Sequence, residues 1–189
     1  AELGGKFHIM GLLSSGSVHA YVDHLYALLD FCLQQKLERV FLHLFTDGKD
    51  APTKEAALFL RQLDERIAAR YPFVKIASLS GRFFAMDRDE NWDRIEKAYK
   101  CLTAGDCAEF KNAVEYIESS YAKEITDENI GPACRQAGPP NGPKEGRIEA
   151  GDAVIFYNYR EDSARELTSA FVSNSFAGFP RDKINNLFF

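Results

Sequence analysis

What this 189-residue chain lacks narrows its chemistry first. There is no G-x-x-x-x-G-K-[ST] and no G-x-G-x-x-G, so neither glycine cradle for nucleotide phosphates is present. There is no H-E-x-x-H and no C-x-x-C, which removes the common short zinc signatures. The four cysteines (Cys32, Cys101, Cys107, Cys134) form no disulfide framework by spacing. They are expected as reduced thiols in a cytoplasmic protein, with Cys32 in the core. No apolar run approaches the ~20 residues of a membrane span. An excess of positive charge is also missing: the net charge of −5 argues against nucleic acid, yet leaves room for a small anion gripped by a few arginines. The start, A-E-L-G-G-K, has neither a signal peptide nor an initiator methionine, and is expected to belong to a segment of something longer.

What is there reads as one domain with a real core. Residues 7–13 (F-H-I-M-G-L-L), 39–45 (R-V-F-L-H-L-F), 74–79 and 153–159 (A-V-I-F-Y-N-Y) are apolar runs of strand length. Between them the apolar period becomes helical, predicting helices from Val18 to near Lys36, from a Thr53 cap through Ala68, over 92–103, over 109–123 and over 161–173. Residues 137–146 (A-G-P-P-N-G-P-K-E-G) read as an exposed loop or hairpin, and 184–189 as a last strand. Strand, polar loop and helix thus repeat, which predicts a three-layer α/β/α domain with a mainly parallel central sheet.

Loops that follow parallel strands leave on one sheet edge, so His19, Lys49, Asp50, Arg82, Arg88, Arg160 and Arg165 are candidates to converge. Residues 80–92 (S-G-R-F-F-A-M-D-R-D-E-N-W) are the densest such loop. Arginine suits bidentate capture of carboxylate or phosphate. Together the cations would make a strongly positive pocket for a phosphorylated carboxylic acid, with Asp50 as general base then acid and His19 as a hydrogen-bonding partner. The competing reading is a solvated loop whose arginines pair with Asp87, Asp89 and Glu90. His8 and His43, inside apolar strands, read as core or edge residues, His24 as packing or surface, and Asp47 as a turn stabiliser.

These loops also carry a family resemblance. G-L-L-S-S-G-S-V-H-A-Y-V-D-H-L (11–25), D-G-K-D-A-P (47–52), S-G-R-F-F-A-M-D-R-D-E-N-W-D-R (80–94), S-Y-A-K-E-I-T-D-E (120–128) and D-A-V-I-F-Y-N-Y-R (152–160) are similar to cofactor-independent phosphoglycerate mutase, and more closely to its inserted phosphotransferase domain. The resemblance runs in collinear order from about Lys6 to Phe189. It implies a substrate-binding role for His19, Lys49, Asp50, Arg82, Arg88 and Arg160, with Asp50 catalytic. It implies that a phosphatase-like domain outside this segment supplies a nucleophilic serine and two divalent metal ions, commonly manganese. It further implies a monomer acting on 3- and 2-phosphoglycerate in glycolysis and gluconeogenesis, with no cofactor, metal or membrane contact in this segment. The segment alone is predicted not to turn substrate over.

The sequence departs from the family pattern at several points. Ser15 and Ser17 stand where the family has Asp and a second Gly, Phe83 and Phe84 where it has a Tyr pair, Lys49 where it has Arg, and Ser163 where it has Arg. Each lost fork removes a contact worth about 1.5–3 kcal/mol to ligand binding. Three readings follow: the substrate-holding domain of a mutase, a diverged module that binds a phosphorylated acid without chemistry, or a structural domain whose arginines pair locally. Arg165 itself reads as a helix surface residue or an outer support of the pocket, and it or another side chain would have to fill in for the pocket to keep its grip.

Overall fold

The structure, a computed structural model, describes residues 5–136 and 145–189, so most of the 137–146 stretch expected as a loop lies outside the described residues. In chain order the elements are β1 (Phe7–Leu13), α1 (Val22–Gln34), β2 (Val40–Thr46), α2 (Ala56–Arg70), β3 (Val74–Gly81), α3 (Arg82–Ala85), α4 (Trp92–Thr103), β4 (Ala108–Phe110), α5 (Ala113–Tyr121), β5 (Ala133–Arg135), β6 (Ala153–Phe156) and α6 (Arg165–Val172). Short 3-10 turns at Asp127–Asn129 and Asp162–Ala164 precede β5 and α6.

All seven residues of β2 are buried, so both faces of the sheet are covered there. That is why the strand is a continuous apolar run rather than an alternating one. The helices supply the covering layers through apolar stripes such as Ile95, Ala98, Tyr99 and Leu102 of α4. The strand order is β4-β5-β3-β2-β1-β6. The four longer strands β1, β2, β3 and β6 run parallel, β5 runs antiparallel to β3, and β4 parallel to β5. The chain therefore steps outward from β1 to β3 and later returns to the other side of β1 as β6. Connections that diverge from neighbouring strands open a crevice above the strands' carboxyl ends. Here that crevice lies between β1 and β6.

A buried polar row crosses the sheet. The Ser78 hydroxyl is 2.7 Å from His43 Nδ1, His43 Nε2 is 2.9 Å from His8 Nδ1, and His8 Nε2 is 3.1 Å from Asp152 Oδ2. The Lys6 amide donates to Asp152 Oδ1 at 2.7 Å, and the Lys6 ammonium reaches Glu149 and Asp152. Burial pushes the pKa of both His8 and His43 down. With both rings neutral, one set of tautomers satisfies the row: His8 Nε2–H to Asp152, His43 Nε2–H to His8, and the Ser78 hydroxyl to His43. The row is sealed inside the core, as expected of two histidines in apolar strands.

Several sequence expectations are corrected. α1 starts at Val22 rather than Val18, because residues 14–21 fold back: the Val22 amide donates to Ser14 O, and the Tyr159 and Arg160 amides reach His19 O. Thr53 does not cap α2; the buried Asp127 does, accepting the Glu55 and Ala56 amides at 2.8 and 3.0 Å. The expected 109–123 helix is split into β4 and an Asn112-capped α5. The 153–159 run is a strand only to Phe156, and the 161–173 helix opens with a 3-10 turn. The 184–189 strand is reduced to an isolated parallel bridge between Ala153 and Phe188. Cys101 and Cys107 are joined as a disulfide, against the expectation of four reduced thiols, while Cys32 and Cys134 are buried. The turn after α4 brings Cys107 back beside the end of that helix, which the six-residue separation did not reveal.

Candidate functional site

The crevice contains a cavity of about 160 Å³ lined by His19, Lys49, Asp50, Arg82, Phe83, Met86, Asp87, Arg88, Asp89, Arg94, Glu128, Arg160 and Ser163. It is smaller than the ~300–1,000 Å³ of drug-sized sites, which suits a small acid. All six predicted site residues meet here. Arg165 does not: it pairs with Glu161 on the outside, its side chain 66% exposed. Arg94, which sequence reasoning passed over, lines the cavity instead. Its guanidinium lies 4.0 Å over the Phe83 ring and donates to Asp87 Oδ2 at 2.8 Å.

Backbone geometry brings the loops together. Gly48, after β2, has φ +67, and a Cβ there would sit 2.6 Å from the Glu128 amide nitrogen. A Cβ on Gly81, at the end of β3, would sit 2.2 Å from Glu128 O. Only glycines let both loops press onto the Asp127–Asn129 turn. Asp47 stabilises the β2 loop as expected, accepting the Lys49 and Asp50 amides at 3.1 and 3.0 Å. It also accepts from the Ser14 hydroxyl and from Arg82. Burial would raise the Asp47 carboxyl, but these donors outweigh it and hold it below the usual range.

Arg82 is buried and donates through Nη1 to Asp47 Oδ1 at 2.7 Å and to Asp50 Oδ2 at 2.6 Å. Burial opposes its charge, and the two carboxylates overcome that and raise its pKa. His19 is 2% exposed and stands between two carboxylates, with Nε2 3.6 Å from Asp50 Oδ2 and Nδ1 3.6 Å from Asp162 Oδ1. Its Nδ1 is buried and has no hydrogen-bond partner among the described residues. Burial, and then the charge of Arg82, lower the His19 pKa, which favours the neutral ring.

On the β6 side, Arg160 donates through Nε and Nη2 to Asp162 Oδ2 at 3.0 and 2.7 Å, and Arg88 Nη1 reaches the same oxygen at 2.6 Å. Lys49, 62% exposed, sits 3.9 Å from Glu128. Asp87 accepts the Asp89 and Asn91 amides at 3.0 and 2.9 Å, which shapes the loop that carries Arg88. Glu166 of α6 braces that loop by accepting the Glu90 amide at 2.9 Å.

The pocket is therefore not the strongly positive one expected. Each of the five cations lining it has an acidic partner: Arg82 with Asp47 and Asp50, Arg88 and Arg160 with Asp162, Arg94 with Asp87, and Lys49 with Glu128. The pairing is local only for Arg160, with Asp162 two residues on, and for Arg94, with Asp87 seven residues back. Arg82 and Arg88 pass over Asp87, Asp89 and Glu90 for acids on other loops. Among the described residues no group of three or more His, Cys, Asp or Glu could hold a metal ion.

The fold is an open α/β sheet with an arginine-lined, charge-paired polar crevice at the carboxyl ends of its strands. Comparison with known proteins gives the family. The chain belongs to the BPG-independent PGAM N-terminus family (iPGM_N), whose model matches residues 1–189. It is 43% identical over 185 residues to a 2,3-bisphosphoglycerate-independent phosphoglycerate mutase of Synechocystis, covering 98% of this chain and 33% of that protein. A relative of the same name from Escherichia coli is 42% identical over 188 residues, covering 98% and 36%. A crystal structure of Leishmania mexicana phosphoglycerate mutase, obtained at low cobalt concentration, superposes with a TM-score of 0.90 at 30% identity, covering 98% of this chain and 35% of that one. The chain thus spans about a third of the length of the relatives it matches. No described helix is long and apolar enough to cross a membrane.

Proposed function

We propose that this chain is the substrate-holding, phosphotransferase part of a cofactor-independent phosphoglycerate mutase, an isomerase that interconverts 3-phosphoglycerate and 2-phosphoglycerate in the cytoplasm. The observation that carries the reading is the buried His19 Nδ1, left without a partner beside Arg82 and Arg160. An unpaired buried polar atom costs about 1–3 kcal/mol, and a bound phosphoryl or carboxylate oxygen would relieve it. Arg82, Arg88 and Arg160 hold the anionic groups of the acid. Asp50, kept beside Arg82, accepts the proton of the substrate hydroxyl and returns it. Lys49 and Ser163 supply less grip than the arginines of the family pattern. Arg94 is the additional fork on the cavity wall.

The nucleophilic serine and two divalent metal ions, manganese for preference, belong to a covalently linked phosphatase-like domain. The described residues offer no donor set for such ions, so no step within this chain runs through them. The chain on its own is a monomer that binds phosphoglycerate without isomerising it. Calorimetric titration with 3-phosphoglycerate tests this: saturable binding is expected, weakened in Arg82→Ala and in the half-exposed Arg160→Ala. Absence of binding, or affinity indifferent to both changes, rejects the reading. Mutase activity of the 189-residue chain alone would overturn the division of labour.

A second reading has specific support in Ser163 and the exposed Lys49. A module with these losses could bind a phosphorylated acid without chemistry. Sequence flanking this segment separates the two, since only the enzyme reading requires a serine nucleophile and metal ligands there.

A further inference from the structure

Glu166 belongs to α6, the helix that follows Arg160, yet its side chain acts on the loop that carries Arg88. Its Oε1 accepts the Glu90 amide at 2.9 Å. Glu90 has φ 61, a left-handed conformation that a residue with a side chain keeps only when its surroundings hold it there. The other oxygen, Oε2, is buried and has no hydrogen-bond partner among the described residues. Glu166 is 8% exposed, so water does not take the partner's place.

The side chain beside it is a second carboxylate, Asp87. Asp87 already has its donors: the Asp89 and Asn91 amides, the Asn91 side-chain amide at 2.9 Å and Arg94 at 2.8 Å. Burial opposes the charge of Asp87, but these donors outweigh it and hold the carboxyl below its usual range. Two ionised carboxylates offer each other only acceptors. One proton on Glu166 makes the pair a donor and an acceptor and satisfies the orphaned Oε2. We infer that Glu166 is a positioning residue for the anion site, tying the loop of Arg88 to the helix after Arg160 through a proton that it shares with Asp87. This rests on the anion-binding reading of the site and deepens it. Glu166 itself lines an adjoining groove and not the cavity.

The neighbouring charges favour that proton. Burial raises the Glu166 pKa, and the charges of Asp87 and Glu90 add to it, against the lowering effect of the Glu90 amide. The cations nearby are engaged elsewhere: Arg94 of α4 by Asp87, Arg88 by Asp162, and Arg165 by Glu161. As pH rises the proton leaves, the two buried carboxylates repel, and the brace on Glu90 opens. Arg88 then loses its fixed approach to the ligand, so anion affinity falls.

The test is calorimetric titration of the 189-residue chain with 3-phosphoglycerate at pH 5.5 and pH 8.0, unaltered and as Glu166→Gln and Glu166→Ala. The carboxamide of Glu166→Gln accepts the Glu90 amide and donates to Asp87 at either pH. Titration of the ligand and of His19 is common to all three chains and cancels when they are compared at one pH. Glu166→Gln should match the unaltered chain at pH 5.5 and bind about fivefold tighter than it at pH 8.0, while Glu166→Ala binds about fivefold weaker than Glu166→Gln at both. A ratio of Glu166→Gln to the unaltered chain that does not change with pH, or a Glu166→Ala equal to Glu166→Gln, overturns the inference and leaves the anion site standing. If none of the three chains binds at either pH, the functional reading falls with it. A direct reading on the unaltered chain guards against misfolded variants. The Glu166 carboxyl carbon resonance should titrate above the usual glutamate value of about 4.3, with the Arg88 Nε resonance moving at the same midpoint. Titration of Glu166 in the usual range, or an Arg88 resonance that does not follow it, rejects the shared proton as the tie.

Discussion

Two networks of polar side chains cross between strands in this domain, built from nearly the same parts. One runs from Ser78 through His43 and His8 to Asp152 and Lys6; the other runs from Asp47 and Arg82 through Asp50 and His19 to Asp162, Arg160 and Arg88. Both contain histidine, carboxylate and a cation. In the first, one assignment of protons satisfies the row, and it is closed off from water. In the second, a buried histidine nitrogen is left over and the outer cations are half-exposed. A satisfied, sealed network can only hold strands together, whereas an unsatisfied, open one has something to offer a ligand.

Substitutions should separate the two. The largest effect is expected from Asp152→Ala, which leaves His8 Nε2 and the Lys6 and Glu149 amides without their buried acceptor while the Lys6 ammonium keeps Glu149: about 3–5 kcal/mol of stability lost in urea denaturation, with no change in phosphate affinity. Equal losses in both readouts would erase the distinction. Arg160→Ala should behave oppositely, weakening 3-phosphoglycerate binding by about 1.5–3 kcal/mol while stability stays within about 0.5 kcal/mol.

The sealed row also predicts a pH response. His8 and His43 have folded pKa values below their unfolded ones, so the unfolded chain takes up protons first as pH falls below about 6.5. Stability is therefore fully present above that pH and declines below it, by up to about 1.4 kcal/mol per pH unit per histidine. Asp152, held down to about 2 despite burial by His8 and the Lys6 and Glu149 amides, adds a second loss between pH 4 and 2. Urea midpoints at pH 7.5 and 5.5 check the first stage, and His43→Gln should flatten it. A smaller gain, about fivefold in phosphate affinity, is expected from Ser163→Arg, which restores a fork on the cavity wall. Least of all, Arg165→Ala should leave affinity and stability unchanged, since its outward pair with Glu161 is largely exposed.

The long parallel strands were legible because each is a continuous apolar run buried on both faces. β4 and β5 were not, since three residues carry no period and Glu109 within β4 is exposed. The arginines, His19 and Asp50 could be read as candidates because each follows a strand. The counter-ions of Arg82 and Arg88 could not: Arg82 meets Asp47 across 35 residues and Arg88 meets Asp162 across 74, and local spacing carries no trace of such pairings. Arg94 was hidden for the opposite reason, lying on a helix whose amphipathic pattern already accounted for it.

The Asp127–Asn129 turn has a consequence for how such a domain can vary. Its Asp127 carbonyl accepts from Thr46 at the end of β2, its Asp127 side chain fixes the start of α2, and the backbones of Gly48 and Gly81 rest against Glu128. Two loops of the cavity wall thus take their height from one three-residue segment that touches neither in sequence. Adding or deleting a residue between α5 and β5 would tilt both loops together, so indels there are expected to be tolerated far less than their position between elements suggests.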